Sequence, residues 1–307
     1  ARRLRSEDAY SPDGRHDMRP EYPTIVYTQI LRQLYPDVPV VLGGIEASLR
    51  RVMHYDYWQE RFRPSILVDS QADMITYGMG EKPTIALCQL LTDALEESHP
   101  DLAYDENGNS FITRSTFHQV VQEQHEVPQT VSLYRKNDIP GGIRKDDIVL
   151  HSYEECMREP RLHADNFRHV EEESNKLRAQ RLLQQTGQQW VVVPLTQEEL
   201  DHSFDLPYTR LPHPKYKGKR IPAYEMIKFS VCMHRGCFGG CAFCTISAHQ
   251  GKFIMSRSKE SILREVKQII AMPDFKGYLS DLGGPSANMY MMHGKDQTLC
   301  ARCKRPS

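Results

Sequence analysis

The chain lacks any apolar run near the roughly 20 residues that a membrane-spanning helix requires, so none is expected. It also lacks a surplus of charge: 39 Lys and Arg face 40 Asp and Glu, for a formal net charge of -1. Without a global basic field, composition gives no reason to expect nucleic acid as a partner. The basic start Ala1-Arg2-Arg3-Leu4-Arg5 has no apolar segment after it, so no secretory signal is read there. Cysteine is sparse, eight in 307 residues, and three of the eight lie together. That distribution argues against a disulfide framework and for metal binding in a reducing compartment, with the cytoplasm as the expected location.

What the chain does have is length for two domains and one dense motif. In His234-Arg235-Gly236-Cys237-Phe238-Gly239-Gly240-Cys241-Ala242-Phe243-Cys244, three cysteines stand in a C-x3-C-x2-C frame. A loop this short can wrap three thiolates around one metal centre, and its glycines let the backbone pass close without a side-chain clash. Thiolates suit Fe–S clusters, zinc or copper(I). Three ligands on one loop fit a cubane cluster with one free iron better than a closed four-ligand zinc site. Two plainer readings stand beside it: a zinc knuckle completed by His234, His249 or a later cysteine, and ordinary buried thiols.

The pattern along the chain places this motif late. Residues 1–23 are polar and broken by Pro12, Gly14, Pro20 and Pro23, a loop. Ile30, Leu31 and Leu34 then recur at helical spacing. Val38-Pro39-Val40-Val41-Leu42 reads as a buried parallel strand ending in Gly43-Gly44, with a helix over Glu46–Met53. Ala72–Tyr77 repeats the arrangement, ending in Gly78-Met79-Gly80-Glu81 before an amphipathic helix over Thr84–Leu95. Strand, glycine loop and helix, twice over, predict a doubly wound α/β fold with ligands beyond the carboxyl ends of the strands. Thr130–Tyr134 is a further candidate strand, Ser152–Gln185 a polar helical stretch, and Gln189–Pro194 an edge or bridging strand on account of its proline. Glu171, Glu172 and Glu173 interleave the basic residues Arg168, Lys176, Arg178 and Arg181, which reads as a solvated helix face rather than an RNA surface. Leu206–Pro214 is a proline-rich connector. Met226–Val231 is the strand that feeds the cysteine loop. A helix capped by Ser258, with Ile262, Val266, Ile269 and Ile270 in its stripe, and a strand over Gly277–Leu282 ending in Gly283-Gly284-Pro285 follow. Cys300 and Cys303 close the chain, either as half of a second metal site or as two thiols.

The cysteine loop resembles that of the radical SAM superfamily. The blocks Val38–Tyr57 (Gly-Gly-Ile-Glu-Ala-Ser-Leu-Arg-Arg, then His54-Tyr55-Asp56-Tyr57) and Leu206–Pro214 are similar to the YgiQ-type members. The resemblance implies α/β architecture: a partial doubly wound, cobalamin-binding-like domain at 1–100, a polar helical insert and connector at 101–220, and the start of a radical SAM partial β/α barrel at 221–307. Both end domains are expected to be incomplete. It implies a [4Fe-4S] cluster on Cys237, Cys241 and Cys244, and S-adenosylmethionine cleaved reductively to a 5′-deoxyadenosyl radical. Phe243 would pack on the adenine, and Gly283 and Gly284 would offer backbone groups to the methionine amino group. An electron donor such as a flavodoxin or ferredoxin is implied; no substrate is. The cobalt-ligating histidine loop of true cobalamin binders follows a strand that would lie before Ala1, and His54 is not in it, so His54 is read as a packing histidine and cobalamin is left open. The alternatives are a cobalamin-using radical methyltransferase or methylthiotransferase-like RNA modifier, and a non-enzymatic Fe–S or zinc module. With only two barrel strands, this stretch by itself is expected to bind a cluster without efficient SAM cleavage.

Overall fold

A computed structural model of the chain describes residues 7–98, 103–104, 106–108, 110–123, 127–174, 176, 179–193, 204–284 and 287–294. Helix α1 (Pro23–Leu34) starts on a proline, whose fixed φ suits a first helical position. Strand β1 (Val41–Leu42) runs through Gly43 into α2 (Gly44–Leu49). A small hairpin, β2 (His54–Asp56) and β3 (Arg61–Arg63), leads to α3 (Ile66–Ser70), capped by the Ser65 hydroxyl. Then come β4 (Met74–Thr76) and α4 (Glu81–Ser98).

Strand β1 pairs with β4 in parallel, Val41 beside Met74 and Leu42 beside Ile75. Successive residues of β4 serve opposite faces, as the two-residue period requires. Ile75 packs with Leu42, Ile66, Leu67 and Val131, whereas Met74 packs with Leu87, Phe117 and Val121 from the helices of the other side. That double burial explains why the strand reads as continuously apolar.

The next stretch carries a short hairpin, β5 (Ala103–Tyr104) and β6 (Ser110–Phe111), and then α5 (Arg114–Glu123). It goes on to extend the main sheet. Strands β7 (Thr130–Arg135), β8 (Ile148–Leu150), β9 (Leu182–Thr186) and β10 (Gln189–Val193) complete a six-stranded order β1-β4-β7-β10-β9-β8. The pairs β4–β7, β7–β10 and β10–β9 are antiparallel, and β8–β9 is parallel. The sheet is therefore mixed, with parallel pairs at both ends.

Two local expectations need correction and one is narrowed. Among its described residues the polar stretch to Gln185 is helical in α6 (Tyr153–Arg158) and α7 (Arg161–Ser174) and ends in β9, so the insert at 101–220 supplies four strands of the sheet. Of the edge and bridging places open to it, strand β10 takes the bridging one, paired on both sides, because its last paired residue, Val193, precedes Pro194. The glutamates of α7 are a solvated face only in part: Glu172 pairs with the exposed Arg168, whereas Glu173 is buried and bonded by Lys176 and the Gln180 N–H, and Glu171 pairs with Lys252 at 2.6 Å.

The C-terminal unit is small. Helix α8 (Pro222–Ile227) occupies the start of the stretch expected as a strand, since Pro222 initiates a helix there, and β11 begins only at Ser230 (Ser230–Cys232). Strand β12 (His234–Arg235) and β13 (Met255–Ser256) form an antiparallel pair. Helix α9 (Ile246–Gln250) lies between them in sequence, and α10 (Lys259–Ile270) follows, with the Ser258 hydroxyl accepting from the Ser261 N–H. Strand β14 (Asp281–Gly283) returns parallel to β11, closing one β/α/β unit over Phe229, Val231, Ile262 and Ile269. Ile270, expected in that stripe, is exposed. Pro285, Cys300 and Cys303 lie outside the described residues.

Candidate active site at a cysteine loop

The β12–β13 pair clamps the cysteine loop. His234 faces Ser256 and Arg235 faces Met255, so everything from Gly236 to Ile254 is a closed excursion from a two-rung ladder. Gly236 sits at the neck with φ +88°, and a Cβ there would lie 1.9 Å from the Phe253 carbonyl oxygen. Only glycine fits. The Cys237 N–H donates to the Gly251 carbonyl at 3.1 Å, and the Cys244 N–H to the Cys241 carbonyl at 3.0 Å.

The loop curls around Gly239. A Cβ on that glycine would stand 3.3 Å from the Cys237 sulfur and 3.7 Å from the Cys241 sulfur. Cys237 is buried, Cys244 half-buried and Cys241 exposed. Among the described residues no three His, Cys, Asp or Glu side chains are placed to hold a metal ion. The donor set nevertheless fits a cluster held by three thiolates: the chain path brings two sulfurs to one glycine, and neither Cys241 nor Cys244 is locked by packing. Phe243 is 91% exposed.

The two histidines weighed as zinc ligands are engaged elsewhere. His234 is fully buried; its Nε2 accepts from the Met289 N–H at 3.1 Å, and its Nδ1 has no partner. Burial pushes its imidazole below the ordinary histidine range. A Cβ on Gly284 would meet its ring at 2.2 Å, so the glycine pair lies directly against this histidine. Gly283 is the last residue of β14, and its carbonyl accepts from the Met233 N–H at 2.6 Å. The Gly283-Gly284 segment thus ends the strand beside the one that feeds the cysteine loop.

His249, on α9, reaches the N-terminal sheet instead: its Nδ1 lies 2.9 Å from the Ser48 hydroxyl. That hydroxyl already donates to the Gly44 carbonyl at 2.9 Å, so the imidazole is the donor through Nδ1. Burial holds His249 below the usual range, hence neutral. Arg235 makes a second tie, to Glu81 at 2.6 Å. Between these ties opens a cleft of about 730 Å³ lined by Gly43, Gly44, Gly80, Thr84, Leu206 and Arg235, among others. Both glycine loops therefore lie at the same edge of the sheet, facing the segment that follows the cysteines. Sequence reasoning missed Ser48, Arg51, Glu81 and Gln129 as parts of this junction. Ser48 and Arg51 belong to the Gly-Gly-Ile-Glu-Ala-Ser-Leu-Arg-Arg block, which was the available signal. His54 stands apart in the β2 hairpin, half-buried, with burial as the main cause of an imidazole pKa pushed down to about 4.

Residues 1–230 match the family described as Radical SAM N-terminal. A UPF0313 protein of Bacteroides thetaiotaomicron is 60% identical over 311 residues, covering 100% of this chain and 48% of the relative. A UPF0313 protein of Porphyromonas gingivalis is 55% identical over 311 residues, with 100% and 45% covered. One from Rhodopseudomonas palustris is 41% identical over 319 residues, with 100% and 45% covered. The chain spans about half the length of these curated relatives. No solved structure matches it, and among the described residues no helix is long and apolar enough to cross a membrane.

Proposed function

The chain belongs to the radical SAM N-terminal family, in its UPF0313 or YgiQ-type branch, and on that premise we propose that it is part of a radical SAM enzyme whose cluster is held by Cys237, Cys241 and Cys244. The observation that carries the reading is the clamped loop with its obligatory Gly236 and with the Cys237 and Cys241 sulfurs gathered about Gly239. A bound [4Fe-4S] cluster would supply one electron to the sulfonium of S-adenosylmethionine, drawn in turn from a flavodoxin- or ferredoxin-like donor.

The protein's own part is placement. Cys237 is the buried anchor, fixed through its amide to Gly251. Phe243, exposed on the loop between the second and third thiols, would cover the adenine and keep water from the cluster. Gly283 and Gly284, at the end of β14 with Gly284 against His234, would offer backbone groups to the methionine amino group. The cleft beside Gly43, Gly44 and Gly80 is the space for a substrate, and its chemistry is not specified by the lining.

Anaerobic reconstitution with iron and sulfide tests the assignment. The expected product is brown, with cubane-type absorption and a reduced-state EPR signal. Cys241→Ala should abolish it. Cys156→Ala should not, since burial pushes that thiol up to about 11 and places it among structural cysteines. A Cys241→Ala protein holding a full cluster would sink the reading. Formation of 5′-deoxyadenosine after dithionite reduction then separates an enzyme from an electron-transfer module.

A further inference from the structure

A second cleft, of about 930 Å³, opens at the end of the sheet away from the glycine loops. Asp73, which borders it, precedes β4, whereas Gly78 and Gly80 follow that strand. One wall is helix α5, through Arg114, His118 and Gln122. These three recur every fourth residue, which is one face of a helix. Phe117 and Val121, between them in sequence, turn the other way into the core. The side chains of the stripe therefore point into the cleft. The opposite wall carries Arg135 and Gln189, cross-strand neighbours on β7 and β10, with Gln188 in the turn before β10.

Asp73 fixes what the helix wall presents. Its buried carboxylate accepts from the Arg114 Nε at 2.6 Å, lies 2.8 Å from the His118 Nε2, and is paired from α1 by Arg32. Held ionised by these bonds, the carboxylate can only accept, so His118 carries its hydrogen on Nε2 and its Nδ1 is the free end. Arg114, anchored through Nε, keeps both Nη groups, the end of the fork that takes an oxyanion in two prongs. Each of the two side chains is 42% exposed, and their free ends are open to solvent, with no partner among the described residues. Two arginines on one aspartate leave a net positive charge. Arg135 adds another, exposed, and Asp138 is the lining's one other acid.

Three features choose the ligand. Guanidinium groups on both walls call for an oxyanion. The lone pair on Nδ1 calls for a proton on that oxyanion, which a phosphate monoester supplies near neutrality, its second pKa being about 6, and a carboxylate or sulfate ester does not. The exposed amides of Gln71, Gln122, Gln188 and Gln189 both donate and accept, as hydroxyl groups do. Tyr134, the one phenol or phenyl ring of the lining, is 5% exposed and gives a nucleobase no face to stack on.

We infer that this cleft binds a phosphorylated polyol, a sugar phosphate in class, with its phosphate on Arg114 and Arg135, one proton held between a phosphate oxygen and His118 Nδ1, and its hydroxyls on the glutamines. The site is separate from the cysteine loop and does not depend on a cluster.

The test is calorimetric titration of the purified protein near pH 7, at fixed ionic strength, with glucose 6-phosphate, glucose 6-sulfate and AMP in separate arms. Saturable binding of glucose 6-phosphate is expected, with a matching rise in Tm. The sulfate ester should bind about tenfold more weakly, and AMP no tighter than the sugar phosphate. Arg114→Met should weaken binding about tenfold or more while keeping the wild-type circular dichroism. Arg135→Gln, at an exposed position, should weaken it about threefold or more, and decides the matter if Arg114→Met fails to fold. His118→Leu should still bind but lose most of the preference for phosphate over sulfate. No saturable response in the wild type, equal affinity for the sulfate ester, tighter binding of AMP, wild-type affinity in Arg135→Gln or in a folded Arg114→Met, or an undiminished preference in His118→Leu would each overturn the inference.

Discussion

Substituting Gly236 by alanine tests the neck of the cysteine loop most directly. Two costs combine. An L side chain at φ +88° pays about 1–2 kcal/mol for the left-handed region. The new Cβ would also stand 1.9 Å from the Phe253 oxygen and 2.9 Å from its carbonyl carbon, both backbone atoms, so relief requires moving the chain rather than a side chain. Overpacking of that kind costs about 1–3 kcal/mol. The total expected is about 2–5 kcal/mol, a large share of a stability that is typically about 5–15. Gly240 is the control: its φ is +61°, but a Cβ there would meet nothing within 4 Å, so Gly240→Ala should pay only the first cost. Urea unfolding followed by circular dichroism compares the two, and iron retained after reconstitution gives a second readout. If Gly236→Ala is no less stable than Gly240→Ala, the clamp formed by β12 and β13 is wrongly placed, and the thiol geometry built on it falls too.

Two further outcomes concern the N-terminal sheet. Asp73 has a fully buried carboxylate bonded by Arg32, by Arg114 at 2.6 Å, by His118 at 2.8 Å and by the Val40 N–H at 2.7 Å, so Asp73→Asn should cost about 3–5 kcal/mol. Burial pushes this carboxyl up, but those hydrogen bonds outweigh it and hold the pKa well below the ordinary 3.8. Its contribution is therefore complete above pH 4 and lost as pH falls further. Urea midpoints that fall equally in wild type and Asp73→Asn below pH 4 would refute this. His54 acts in the next window: the unfolded chain takes up its proton near 6.5 and the folded one only near 4, so stability should fall as pH drops between them. His54→Leu should flatten that slope, and an unchanged slope would remove the histidine from the account.

The parts of the fold that sequence exposed were those set by local rules. Apolar runs ending in glycine gave β1 and β4, a serine before an apolar stripe gave the start of α10, and thiol spacing gave the loop. What escaped depends on partners far away in the chain. Leu182-Leu183-Gln184-Gln185-Thr186 reads as polar, yet Gln184 is 1% exposed, because its amide accepts from the Met53 N–H and donates to the His151 carbonyl. No window of ten residues contains that reason. Arg51 was named only within its motif: the second of two arginines after a helix is ordinary until it is seen buried over the Tyr77 ring.

One hydroxyl accounts for much of how the distant pieces become a single site. Ser48 is wholly buried and uses all of its hydrogen-bonding capacity: it donates to the Gly44 carbonyl, and accepts from the Gly78 N–H at 2.9 Å and from His249. Those three partners lie on the first glycine loop, the second glycine loop and the helix after the cysteines. Glycine is required at Gly78, which sits at φ +72° and presents its N–H to that oxygen. The bond from His249 requires a proton on Nδ1, and because the Ser48 hydroxyl is already spent on Gly44, that bond selects the Nδ1–H tautomer of the neutral ring. The cysteine loop is thus tied to the sheet edge by a serine between two glycine turns together with the Arg235–Glu81 and Lys252–Glu171 ion pairs, and a junction made of directional bonds fixes position more sharply than it adds stability. That is the property the proposed site would need for a cluster on the cysteine loop to face the cleft at the sheet edge.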